Sequence, residues 1–376
     1  MKKDDPAKAL AAALLAGEWS RSALEKRAIT ALGARSKRRA SRIVDDIWTN
    51  HKAPYVPHRN ELRRLIYASN AFAGLGETAI TRLNELKPKE QPPRFAPLPR
   101  FQNANLPPLA TAGDLAQWLG LSPSQLDWFA DERRTLARAS DTLQHYSQTW
   151  LPKRSSGWRL IEAPKPRLKD IQRRILRGIL DPIPTHDAAF GFVPGRSCTT
   201  AAAKHAGEGV VVTLDLRDFF VSVPAHRVHA LFRCLGYLWS VARLLTGLCT
   251  AATPHATLAS DQLDHETRQR LRARHLPQGA PTSPTLANFA ARRLDARLDG
   301  LARRFEARYT RYADDLTFSG DERFHTSVPR FLIAVAQIAR DEGFALNAAK
   351  TRIMPRHTRQ TVTGIVVNDH INVARP

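Results

Sequence analysis

Cysteine is scarce. Cys198, Cys234 and Cys249 are the only three in 376 residues, an odd number without CxxC spacing. Neither a disulfide framework nor a zinc site follows, and a reducing cytoplasm fits. Long apolar runs are missing too, so no stretch reaches the length of a membrane span. The N-terminal "MKKDDPAKALAAALLAGEWS" sets Lys2 and Lys3 before a short Ala/Leu run, yet Asp4, Asp5 and Pro6 stand where an export signal would be purely basic. It reads as an ordinary helix. No internal repeat, Walker-type loop or GxGxxG loop is present. Negative charge is the last shortage: 35 acidic residues face 57 basic ones, for a net charge of +22 and a pI near 10.7. Such an excess points to a polyanionic partner, most simply nucleic acid, with an anionic membrane surface as the alternative.

What is present suffices for a core. Hydrophobic residues make up 43% of a chain long enough for two or three domains. Residues 1–85 read as a basic helical extension rich in Ala, Leu and Arg. Within it "ARSKRRASR" gathers Arg35, Lys37, Arg38, Arg39 and Arg42, either as a solvated helix face or as a nucleic-acid contact. Residues 86–108 are proline-rich without period and read as a linker. Helical patterning resumes from 112 to 150, where Ser122 before Pro123 predicts a helix start. From Trp150 onward strands and helices mix. "WRLIEAPKP" and "GVVVTLDLRDFF" predict strands, "RLKDIQRRILRGIL" and "ANFAARRLDARLDGLARRF" predict helices, and "ARYTRYADDLTFSG" predicts a hairpin.

That hairpin holds a liability at its tip. Asp314 and Asp315 repel each other, and desolvating either is costly unless a cation compensates. They acquire a purpose if a third carboxylate faces them, and Asp215, at the end of the buried run Val210 to Leu214, is the best candidate. Three carboxylates from two adjacent strands can hold a pair of Mg²⁺ ions, which take oxygen ligands and leave room for phosphate. Two such ions about 3.5–4 Å apart stabilise an in-line phosphoryl transfer.

These segments together resemble the bacterial reverse transcriptases, most closely the retron type, from about Leu115 to Arg375. "YADD" is similar to their polymerase motif C and "LDLRDFF" to motif A, with Asp215 as first metal ligand. "LPQGAPTSPTLANF" resembles motif B, "GFALNAAKTRIM" motif D, and "VTGIVVN" contains a VTG triplet associated with retron enzymes. "GFVPGRS" and "LIEAPKPRLKDIQRRIL" resemble fingers segments.

The resemblance implies an α+β right-hand polymerase. Its fingers-type region would span residues 109–205 and its palm residues 206–376. Asp215, Asp314 and Asp315 would bind two Mg²⁺. Gln278 and Gly279 would approach the nascent base pair, where a plain turn is the alternative. Phe220 would stand against the sugar 2′ position, although Phe219 and Phe220 taken alone suit a core. Arg159, with Lys153 or Arg154, would clamp the dNTP triphosphate. Lys350 would protonate or neutralise the pyrophosphate leaving group, an exposed helix-end lysine being the alternative. The implied partners are a structured noncoding RNA serving as template and primer, its DNA copy, dNTPs and an effector protein, with no membrane. The setting would be cytoplasmic anti-phage defence.

Two departures stand out. "AAAKH", Ala201 to His205, lacks the amide of the NAxxH segment that retron enzymes tend to carry. Only eight residues follow Asn368 (376 − 368 = 8), where the family places a helical thumb, so the expectation is a missing thumb. A group II intron protein, an RNA-dependent RNA polymerase and an RNA-binding protein with an inactive or thumb-dependent palm are the rival readings.

Overall fold

The computed structural model describes residues 5–17, 19–51, 56–57, 59–86, 95–133, 135–152, 158–260 and 263–373. The chain divides into two compact units. One comprises residues 1–102, 109–111 and 233–241 and is mainly helical, with helices Pro6–Leu15, Arg21–Leu32, Lys37–Asn50, Arg59–Ala68 and Glu77–Glu85. Their starts are local chemistry. Asp5 caps the first helix by accepting from Lys8 N–H with Pro6 just inside, and Ser20 caps the second. In Lys37–Asn50, Ala40, Ile43, Val44 and Ile47 recur at helical spacing and turn into a shared core with Leu10, Leu24 and Leu62. Burying each of the larger side chains contributes about 1.5–3 kcal/mol. Arg35, Lys37, Arg38, Arg39 and Arg42 are left outside and exposed.

The stretch expected as a linker is not free where it is described. Ala96 N–H donates to the Gly236 carbonyl at 3.2 Å and Leu98 N–H to the Cys234 carbonyl at 3.3 Å, while the Phe95 and Tyr237 rings lie 5.1 Å apart. Prolines space these donors, so a segment without sequence period still satisfies its backbone against a distant loop.

The second unit comprises residues 103–108, 112–232 and 242–376. Strands β1 (Tyr146–Pro152) and β2 (Trp158–Pro164) form an antiparallel ribbon. Strands β3 (Val210–Asp215), β4 (Arg308–Tyr312), β5 (Asp315–Gly320) and β6 (Arg352–Pro355) form an antiparallel sheet in the order β4-β5-β3-β6. The central β3 is buried nearly throughout, which accounts for its run of valines. On one face Phe318 packs with Phe331 of the helix Glu322–Asp341. On the other, Val211 and Met354 meet Ala202, Val362 and Val367. The VTG triplet forms the turn of a small hairpin, Thr361–Val362 against Ile365–Val366, with Thr363 and Gly364 both at positive φ.

Ser122 starts its helix with a full capping box, as its sequence predicts. The helix predicted over "ANFAARRLDARLDGLARRF" is two, Ser283–Ala290 and Arg292–Arg304, broken at Ala291 where ψ is −3°. All three cysteines are free, and burial pushes the Cys249 thiol up to about 12. Among the described residues no helix is long and apolar enough to cross a membrane.

Candidate active site

Asp215 ends β3 and Asp315 begins β5, and the two are direct register partners. Alternation along paired strands puts both carboxylates on one face, with Asp314 in the adjoining two-residue turn of the β4–β5 hairpin. The Asp314 carbonyl accepts Leu216 N–H at 2.9 Å, tying that turn to the strand opposite. Burial, and then the charge of Asp215, raises the Asp314 carboxyl above its ordinary range. Asp315 is open to solvent on one side, yet its carboxyl is pushed up to about 6. The loss of water around the turn acts first, followed by the charges of Asp314 and Asp215.

Such mutual repulsion marks an anionic, all-oxygen cluster short of cations, which suits a hard divalent ion. Lys350 supplies part of the missing charge: its Nζ donates to Asp215 Oδ2 at 2.8 Å. Arg159, exposed on β2, is near enough for its charge to pull Asp314 downward. Among the described residues no three carboxylate, imidazole or thiolate groups stand already gathered at metal-binding distance.

Three further sequence candidates, Phe220, Gln278 and Gly279, line a cleft of about 480 Å³ together with Lys169, Arg173 and Phe192. Gln278 is held through its backbone, its carbonyl accepting Glu162 N–H at 2.8 Å. Gly279 has φ +129°, and a Cβ there would come within 3.1 Å of the Glu162 carbonyl oxygen, so glycine lets the loop lie on β2. Phe220 is half-buried, 6.2 Å from Phe192, whereas Phe219 is fully in the core against Phe344. The pair is thus split between wall and core. Lys153 and Arg154 lie outside the described residues.

Sequence reasoning missed the support beneath these groups. Ala313, beside Asp314, sits at φ +56°, a left-handed conformation costing an alanine about 1–2 kcal/mol. Fully buried Arg311 holds its carbonyl, Nη1 donating at 3.0 Å and also to Asn288 Oδ1 at 2.9 Å. The same guanidinium grips Asp295 through Nε and Nη2, both at 2.7 Å, and Asn288 Nδ2 donates to the Gly191 carbonyl. A signal existed: Asp295 falls on the apolar stripe of its helix, between Leu294 and Leu298, where a lone acid requires a buried cation.

Two histidines were also missed as anchors. His205, in the segment lacking the family's amide, bridges Ser319 and Thr310 hydroxyls at 2.7 Å each, and burial lowers its pKa to about 3. His275 Nε2 stands 2.7 Å from Glu162 Oε2. Burial would lower that imidazole, but the carboxylate outweighs it and holds it above the ordinary value.

A strand carboxylate facing an aspartate pair on a hairpin also matches a known family in sequence. The family profile described as "Reverse transcriptase (RNA-dependent DNA polymerase)" matches residues 151–367. The chain belongs to the reverse transcriptases.

Its relatives place it with the retron type. The Retron Mx65 reverse transcriptase of Myxococcus xanthus is 40% identical over 321 residues, covering 85% of this chain and 71% of that protein. The Retron Mx162 reverse transcriptase of the same organism is 43% identical over 277 residues, covering 72% and 56%. The Retron Ec86 reverse transcriptase of Escherichia coli is 34% identical over 211 residues, covering 56% and 58%. The chain therefore spans between about half and three quarters of these relatives' lengths. A palm-and-fingers polymerase fold and dependence on divalent metal ions belong to the reverse transcriptase family, and the mixed helix and sheet of the second unit agrees with that fold.

Proposed function

We propose that this reverse transcriptase copies part of a cognate structured noncoding RNA into DNA, in the cytoplasm, as one component of an anti-phage system acting with an effector protein. The retron relatives and the charge of +22 support the RNA partner. The observation that carries the catalytic reading is the Asp215–Asp315 register pair with Asp314 at the turn beside it. On this reading Asp215, Asp314 and Asp315 hold two Mg²⁺ ions, which when bound stabilise charge on the attacking and leaving oxygens.

The chain's own residues do the rest. Arg159 and Lys153 take the triphosphate by charge-assisted hydrogen bonds. Gln278 and Gly279 meet the nascent base pair, and the Phe220 ring excludes a ribose 2′-hydroxyl. A primer 3′- or 2′-hydroxyl attacks the α-phosphate, and Lys350 neutralises or protonates the departing pyrophosphate.

Primer extension on an RNA template with purified protein, Mg²⁺ and dNTPs tests this. Asp314→Asn removes one charged ligand and should lower the rate by roughly a hundredfold or more, the equivalent of several kcal/mol. RNA affinity, set by Lys and Arg, should hold. Near-normal synthesis by that variant would sink the assignment.

A further inference from the structure

The helix Pro166–Ile175 and the turn after it carry more cation than their fold needs. Arg167, Lys169, Arg173, Arg174 and Arg177 stand against two carboxylates, Asp170 and, where the turn ends, Asp181, whose charge Arg177 feels. Arg173, Arg174 and Arg177 are all exposed, and among the described residues Arg174 and Arg177 form no ion pair within 4 Å. They line a second cleft of about 560 Å³ with Trp118, Asp170 and Gly178.

Three features separate this cleft from an ordinary solvated helix face. The first is its floor. The Trp118 indole lies so close to Gly178 that a Cβ there would come within 2.6 Å of the ring, so the missing side chain seats the aromatic. The second is backbone geometry. Asp181 N–H donates to the Leu176 carbonyl at 2.8 Å, five residues back, making Leu176–Leu180 a π-helical turn. Such turns are rare and frequently found at functional sites. Arg177 lies within this one. The third is continuity. Arg173 lines both this cleft and the one holding Phe220 and Gln278, so one guanidinium joins the two.

An aromatic floor ringed by guanidinium groups is the chemistry of unpaired nucleic acid: phosphates meet the arginines and a base stacks on the ring. Arg174 already lies over Trp118, its Cζ 5.5 Å from the ring centroid, and forms one side of that stack. A duplex does not fit this description, because its base faces are hidden within its own stack. We infer that Arg173, Arg174, Arg177 and Trp118 form a track for the unpaired template strand as it approaches the nucleotide cleft. The choice of strand rests on the polymerase reading, since the template awaiting copying is the unpaired strand beside a nascent pair.

The test is binding, without dNTPs, of the full chain to RNA–DNA template–primers whose template overhangs by one or by eight nucleotides. The wild type should bind the long overhang about tenfold more tightly. Arg174→Ala with Arg177→Ala should abolish that preference and leave the one-nucleotide substrate unaffected, while Arg174→Lys with Arg177→Lys keeps most of it. 2-Aminopurine placed along the overhang should be quenched at one position in the wild type and released in Trp118→Ala. If Trp118→Ala does not fold, the exposed arginine pair still decides the matter. An unchanged overhang preference in the variant carrying both Ala substitutions, or equal loss on both substrates, would overturn the inference; the latter would mark a general basic surface or a site for an acidic protein. Primer extension on the same complexes separates the two readings. Extension without overhang dependence removes the track alone, and overhang dependence without extension counts against the polymerase.

Discussion

At the scale of single residues, Phe220 illustrates how position overrides type. Its neighbour Phe219 is core, while Phe220 faces the cleft beside Gln278. Phe220→Ala should therefore raise ribonucleotide incorporation relative to deoxynucleotide in single-nucleotide extension, with little loss of thermal stability. Unchanged discrimination would return the ring to a packing role.

His205 makes a different residue-scale prediction. Its pKa falls from the ordinary 6.5 to about 3 through burial, so the fold holds it neutral. Below pH 6.5 the unfolded chain binds a proton that the folded chain refuses. Its contribution is thus present above 6.5 and lost as pH falls toward 3, with a slope of about 1.4 kcal/mol per pH unit. Asp315 acts oppositely. Its folded carboxyl titrates near 6 against an ordinary 3.8, so its effect grows unfavourable as pH rises through that interval. Comparing the wild type with His205→Gln isolates the imidazole. Denaturant melts between pH 4 and 7 should show a flatter acid limb in the variant.

At the scale of elements, the β4–β5 hairpin is a strained turn held from below. Arg311 and Asp295 are both fully buried, and removing one leaves the other charge uncompensated. Asp295→Ala should cost about 3–5 kcal/mol of stability. Arg311→Met with Asp295→Leu should recover much of it, because a buried ion pair is often replaceable by apolar packing. That double variant still lacks a donor to the Ala313 carbonyl, so Asp314 should be poorly placed. Thermal melts paired with single-turnover extension check this; full recovery of both stability and rate would show that the network only packs.

At the scale of the whole molecule, the net charge of +22 carries the prediction. The exposed cations Arg35, Lys37, Arg38, Arg39 and Arg42 make no ion pairs among the described residues. If they meet RNA, replacing Arg38, Arg39 and Arg42 with Gln should flatten the plot of log affinity against log salt, by roughly 0.7–0.9 for each phosphate no longer neutralised. Anisotropy titrations across a salt series measure that slope. An unchanged slope identifies a solvated face.

Period and composition along the chain were enough to determine the buried strand ending in Asp215, the hairpin presenting Asp314 and Asp315, the capped helix at Ser122 and the net positive charge. Each is a local pattern or a sum, and both can be read without knowing what lies opposite. Only the tertiary structure decided which distant groups meet. Lys350 reaches Asp215 across 135 positions, and His275 reaches Glu162 across 113. Asp295 finds Arg311 through a helix folded back on β4, and the linker-like prolines find a loop more than a hundred residues away. Sheet order and chain closure choose such partners, and a one-dimensional pattern carries no term for either.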